Sequence, residues 1–144
     1  ALQAGAAILT DTEMAAAAIR PMVQRTLGVP VRTVLEWAPT LAPSGSTRTA
    51  LGMLAAWGEL SETRPAPVVL IGSAPTALEV LLKQVEAGSP RPSLVIGMPV
   101  GFVGVAESKR QLAESGLDQI RLEGSRGGAG LVAAAVNALL RAAK

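Results

Sequence analysis

Val68-Val69-Leu70-Ile71-Gly72-Ser73-Ala74-Pro75 is the most informative stretch of this chain. Four consecutive aliphatic side chains leave no polar face, so a strand over 67–72 must be covered on both sides, as the strands of parallel sheets are. Gly72 ends the run, and Pro75 suits the first turn of a helix, where its missing N–H has no partner to lose. The pattern returns at Leu94-Val95-Ile96, within a strand over Ser93–Gly97. Working outward, β-rich segments fall at Ala6–Thr10, Val31–Trp37 and Gln119–Glu123. Each of the five is followed by a helical pattern: Thr12–Thr26, Thr47–Leu60, Pro75–Ala87, Val105–Ser115 and Gly128–Ala143. Thr10-Asp11-Thr12-Glu13 reads as a capping box, and Gly88 and Gly116 suit helix ends. This alternation predicts a single α/β domain over 1–144, a doubly wound, three-layer α/β/α fold with a five-stranded parallel sheet.

Composition agrees and excludes much else. The 144 residues are 49% hydrophobic and 17% charged, far from a disordered profile. Aromatics are 2%, so the core rests on Leu, Val, Ile, Met and Ala. There is no Cys and no His, which removes disulfides, thiol catalysis, zinc fingers and any imidazole chemistry supplied by these residues. The net charge is +2 and the basic residues are scattered; with so few aromatics for base stacking, a nucleic-acid platform is not expected. The longest uncharged stretches, Pro92–Ala106 and Gly127–Leu140, are too short to span a bilayer, no export signal is visible, and a cytoplasmic location is expected. Ala1-Leu2-Gln3-Ala4-Gly5 reads as the last turn of a helix closed by glycine, so the chain is expected to be the C-terminal part of a longer one, or to have lost its beginning.

In a doubly wound sheet, ligands bind outside the carboxyl ends of the strands. The residues expected on that rim are Asp11 and Glu13; Thr47 and Arg48; Gly72 to Thr76; Gly97 to Gly104 with Glu107, Ser108 and Lys109; and Gly124 to Gly128. Asp11 and Glu13 fit helix caps as well as a site. Arg48 opposes the dipole of a helix start, which leaves a ligand or plain solvation as its role. The uncharged segment from Gly97 to Gly104 is too apolar for a simple connector and fits a pocket wall or a subunit interface. Arg126 and its glycines fit a tight turn, or an anion site of backbone N–H groups plus a guanidinium. Gly128-Ala129-Gly130-Leu131-Val132-Ala133 matches a loose dinucleotide pattern, but in the last strand–helix unit and without the acidic residue that should follow.

At these loops the chain resembles the precorrin-8X methylmutase (precorrin isomerase) family of cobalamin biosynthesis. The resemblance rests on Gly72-Ser73-Ala74-Pro75-Thr76-Ala77-Leu78, the run from Gly97 to Gly104, Ala106-Glu107-Ser108-Lys109 and Arg126-Gly127-Gly128. Asp11-Thr12-Glu13-Met14, Thr47-Arg48 and Ala134-Ala135-Val136-Asn137-Ala138 agree with it, so it runs through essentially the whole chain in order. Ser73, Ala17 and Arg20 depart from the family's usual Asn, His and Thr, and residues 21–46 match poorly. The resemblance implies methyl migration on ring C of a corrin-type tetrapyrrole. It places the family's catalytic His in an N-terminal helical region that these residues do not include, so no catalytic residue is expected among them and none of the residues is expected to bind metal. It implies no cofactor, with cobalt present only as part of the substrate, and a homodimer. It points to substrate contacts at Arg48, Thr47, Ser73, Thr76, Met98, Val100, Phe102, Glu107, Lys109, Arg126 and Gly127. A non-catalytic corrinoid-binding module of the same descent is the alternative.

Overall fold

The computed structural model describes residues 1–101 and 103–144. Among the described residues five strands and five α-helices alternate: β1 Ile8–Thr10, α1 Glu13–Arg25, β2 Val31–Thr33, α2 Arg48–Leu60, β3 Val68–Ile71, α3 Pro75–Glu86, β4 Leu94–Gly97, α4 Val105–Glu114, β5 Gln119–Arg121 and α5 Ala129–Ala143. The strands form one sheet in the order β2-β1-β3-β4-β5, every neighbouring pair parallel.

The apolar runs sort their side chains by parity, because successive residues of a strand face opposite sides. Val68 and Leu70, with Ile8 and Ile96, face a core made with Ile19 and Val23 of α1 and Val132, Val136 and Leu140 of α5. Val69 and Ile71, with Leu9 and Val95, face a second core made with Met53 and Trp57 of α2, Leu78 and Leu81 of α3 and Leu112 of α4. All four residues of β3 are buried, as a central strand between two helical layers requires. Trp57, the largest fully buried side chain, keeps its indole N–H satisfied by donating to the Pro90 carbonyl at 3.1 Å.

Strand β2 is shorter than the predicted 31–37. Thr33 and Glu36 form a capping box: the Thr33 hydroxyl accepts from Leu35 N–H, and the Glu36 carboxylate accepts from Thr33 N–H at 3.0 Å. Those bonds coil Val34–Trp37 into a 3₁₀ turn and end the sheet ladder. α2 lies tight on this turn, since a Cβ added at Gly52 would sit 2.3 Å from the Val34 carbonyl oxygen. Near the N-terminus Gly5, at φ +94°, completes the expected glycine-capped turn, with Gly5 N–H donating to Leu2 and Ala6 N–H to Ala1.

The connections from β1 to β2 and from β3 to β4 run in opposite directions along the sheet, so the carboxyl ends of β1 and β3 form its topological switch point. There α1 and α5 pack on one face, and α2, α3 and α4 on the other.

Candidate active site

Three groups of rim residues are held by different means. At the switch point Asp11, 0% exposed, turns its carboxylate into the loop after β3. It accepts from Ser73 N–H and Ala74 N–H at 2.8 Å each, and from Gly72 N–H at 3.2 Å. Sequence reasoning offered Asp11 as a cap for α1. The cap of α1 is instead Thr12, whose hydroxyl accepts from Ala15 N–H, and Glu13 pairs with Arg20 on the surface. Asp11 thus serves the start of α3, where Ala74 has no side chain able to cap. Burial pushes the Asp11 carboxyl up from its ordinary value, while the N–H groups of Ser73, Ala74 and Gly72 pull it back.

Beside α3 stands the start of α2. Thr47 caps that helix by accepting from Ala50 N–H at 3.0 Å, and its hydroxyl lies 3.0 Å from that of Thr76. Arg48 follows in the first turn. Its Nε donates to the Pro39 carbonyl at 2.8 Å, which fixes the guanidinium plane. Its two Nη groups hold no hydrogen bond among the described residues and are free to grip a carboxylate. Ser73 is exposed, its backbone N–H committed to Asp11.

The third group joins the loops after β4 and β5. Gly128 N–H donates to the Met98 carbonyl at 2.9 Å and Gly101 N–H to the Ser125 carbonyl at 3.2 Å. A Cβ on Gly127 would lie 1.9 Å from the Met98 oxygen, so only glycine allows this approach. Lys109, 4% exposed, donates from Nζ to the carbonyls of Gly124 and Arg126 at 2.6 Å each. Burial lowers its pKa from the usual lysine value, opposed by the charge of Glu123. An open concavity of about 460 Å³ lies over this junction, lined by Val100, Gly101, Ser125, Arg126, Gly127 and Leu131. The Arg126 side chain holds no hydrogen bond among the described residues.

The predicted contacts therefore divide. Thr47, Arg48, Ser73 and Thr76 are brought together, as are Val100, Arg126 and Gly127. Met98 is displaced from the expected pocket wall: it is buried in the core between the sheet and α1 and α5. Lys109 spends its donors on the chain's own carbonyls rather than facing outward. Glu107 lies exposed on α4, bound by Arg110 and Gln111, and the Arg110 hydrogen bonds hold its carboxyl below the ordinary range. Phe102 lies outside the described residues. The role of Asp11 escaped the sequence, because a carboxylate at a strand end reads as a local cap until the strand order is known.

Fold and rim together define a doubly wound α/β protein with its candidate site residues at the carboxyl edge of the sheet and its switch-point cradle already filled by Asp11. The chain belongs to the precorrin-8X methylmutase family, whose model matches residues 1–142. It is 42% identical over 139 residues to a cobalt-precorrin-8 methylmutase of a Synechocystis species, which covers 96% of this chain and 62% of that protein. To a precorrin-8X methylmutase of Pseudomonas aeruginosa it is 46% identical over 143 residues, covering 96% of this chain and 67% of that one. The chain thus spans about two thirds of the length of these curated relatives. The crystal structure of a precorrin-8X methylmutase from Thermus thermophilus superposes with a TM-score of 0.82 at 39% identity, covering 99% of this chain and 69% of that one.

Proposed function

We propose that this protein acts in cobalamin biosynthesis as an isomerase that moves a methyl group on ring C of a corrin-type tetrapyrrole, giving a hydrogenobyrinate- or cobyrinate-type product. One observation carries the reading beyond family membership. Two arginines with open guanidinium ends, Arg48 and Arg126, stand on the rim, while the fold's usual anion cradle is filled by the protein's own Asp11. A filled cradle disfavours a nucleotide phosphate at the switch point. Arg126 beside exposed Val100 and Leu131, with Arg48 at a separate point of the rim, suits a broad apolar macrocycle with several carboxylate arms.

In this reading Arg48 and Arg126 grip substrate carboxylates and Gly127 lets the loops close under the ring. Thr47, Ser73 and Thr76 offer hydroxyls at the helix starts. Lys109 shapes the Arg126 loop from below, and Glu107 sits at the margin of the site. The reaction is an isomerisation, with no net gain or loss of atoms or electrons, so it calls for no redox cofactor. Cobalt, where present, arrives within the substrate. With no His in the sequence, the proton-handling residue of the family resemblance is not among these 144, and we assign them binding and positioning rather than proton transfer. Val103 is 93% exposed, and cover for it and its apolar neighbours by a second copy fits a homodimer in the cytoplasm.

The test uses the complete protein and cobyrinate, followed by absorbance titration and by conversion of a precorrin-8-type substrate. Conversion by the complete protein and binding without conversion by the 144-residue chain are expected. Arg48→Ala should weaken cobyrinate binding about tenfold or more, the worth of a charge-assisted contact. Its stability should stay within about 1 kcal/mol of wild type, as expected for an exposed side chain. Binding without conversion by the complete protein points to the corrinoid-binding alternative, and no binding at all rejects both.

A further inference from the structure

A carboxylate surrounded by converging backbone N–H groups is the arrangement with which doubly wound folds hold an anionic ligand. Here the carboxylate belongs to the protein. Asp11 closes β1, and Gly72, Ser73 and Ala74 open α3, so the interaction joins residues about sixty apart in sequence across the switch point. The loop is pinned from its other side too: a Cβ on Gly72 would fall 2.9 Å from the backbone of Ala129, at the start of α5. Two residues beyond Ala74, Thr76 places its hydroxyl 3.0 Å from that of Thr47, the cap of the helix that begins with Arg48.

We infer that Asp11 is a positioning residue that fills the switch-point cradle from within and, through Ala74, Thr76 and Thr47, holds Arg48 in register for its ligand. The last step rests on the functional reading above; the filling of the cradle does not. Two consequences follow. The cradle is closed to free phosphates and carboxylates, which sends the carboxylate arms of a ligand to the arginines. And a small carboxylate should replace the Asp11 side chain once that side chain is removed, because the N–H groups that hold it belong to the loop.

The experiment compares wild type, Asp11→Gly and Asp11→Asn of the complete protein in sodium formate and in sodium chloride at equal ionic strength. Thermal unfolding of Asp11→Gly should begin several degrees below wild type, and formate should raise it while leaving wild type unmoved. Asp11→Asn keeps the shape, and its amide oxygen can take the place of Oδ2, but it removes the charge that the three N–H groups solvate and sets an NH2 where Oδ1 meets Gly72 N–H, so it should be weakened without responding to formate. Cobyrinate titration of the folded variants should show affinity down about tenfold, the scale of one lost charge-assisted bond. Formate should restore affinity in Asp11→Gly alone, a recovery that a general loss of stability does not produce. Wild-type stability and affinity in Asp11→Asn, or an equal formate response in wild type, would overturn the inference. An Asp11→Gly protein that stays unfolded in both salts leaves the decision to Asp11→Asn. If wild type itself fails to bind cobyrinate, the functional reading falls, and the formate response still decides whether Asp11 fills the cradle.

Discussion

Replacing Lys109 by Met tests how the rim is built. Methionine keeps the aliphatic stem and removes the ammonium that bridges the Gly124 and Arg126 carbonyls at 2.6 Å. Leaving a buried acceptor unsatisfied costs about 1–3 kcal/mol, so two would cost roughly 2–6 kcal/mol. The loop is exposed on its outer side, so water can reach part of it, and relief of the Lys109 charge, already solvated by the two carbonyls, offsets only a small further part. The net loss should therefore fall near the low end, about 2 kcal/mol. At this chain length that corresponds to a fall in Tm of roughly 4–8 °C. Hydrogen exchange should locate the damage: the Gly128 and Gly101 amides, bonded to Met98 and Ser125, should exchange faster, while those of β3 stay protected. Lys109→Arg should not rescue the loss, because a planar fork cannot replace one compact cation between two carbonyls. Stability within about 0.5 kcal/mol of wild type, with unchanged exchange at Gly128, would refute the clamp.

Gly127→Ala should be more damaging than most surface changes, since its Cβ would lie 1.9 Å from the Met98 oxygen. A loss of about 2 kcal/mol or more is expected from the forced separation of the two loops, and urea unfolding measures it. Lys109 also sets a pH signature. Its folded pKa lies below its unfolded value near 10.5, so at alkaline pH the unfolded chain binds more protons, and the Lys109 contribution to stability should rise as pH climbs toward that value. The unfolding free energy of wild type minus that of Lys109→Met, followed from neutral to about pH 10, should increase; a decrease contradicts the assigned shift.

Much of the fold was legible because apolar runs and their boundaries are local signals. Val68 to Ile71 and Leu94 to Ile96 identify central strands by composition alone, and Pro75, Gly88 and Gly116 mark helix limits. Strand β2 was over-extended because Val34, Leu35 and Trp37 continue an apolar run, although Thr33-Val34-Leu35-Glu36 carries the capping-box signature that ends it. Met98 was legible in hindsight: it shares parity with Ile96, and both face the same core. Arg48 stood out because its charge opposes a helix start. Asp11 and Lys109 did not disclose their roles, since each depends on a loop brought near by strand order, which no local pattern encodes.

Those two residues explain how the rim is stiff before any ligand arrives. Each is a buried ionisable group, and neither has an ion-pair partner among the described residues. Asp11 meets three N–H groups of the loop after β3, and Lys109 meets two carbonyls of the loop after β5. Backbone dipoles of opposite sign thus take the place of water around each, and the loops cannot open without uncovering a charge or stranding polar backbone. Glycines complete the scheme where backbones nearly touch, Gly72 against Ala129 and Gly127 against Met98. With the inner charges satisfied by backbone, the two Nη groups of Arg48 and the guanidinium of Arg126 are left without a hydrogen bond among the described residues. A rim fixed from within and charged on its outside has its ordering cost met during folding, so the carboxylates of the proposed ligand would meet donors already in place.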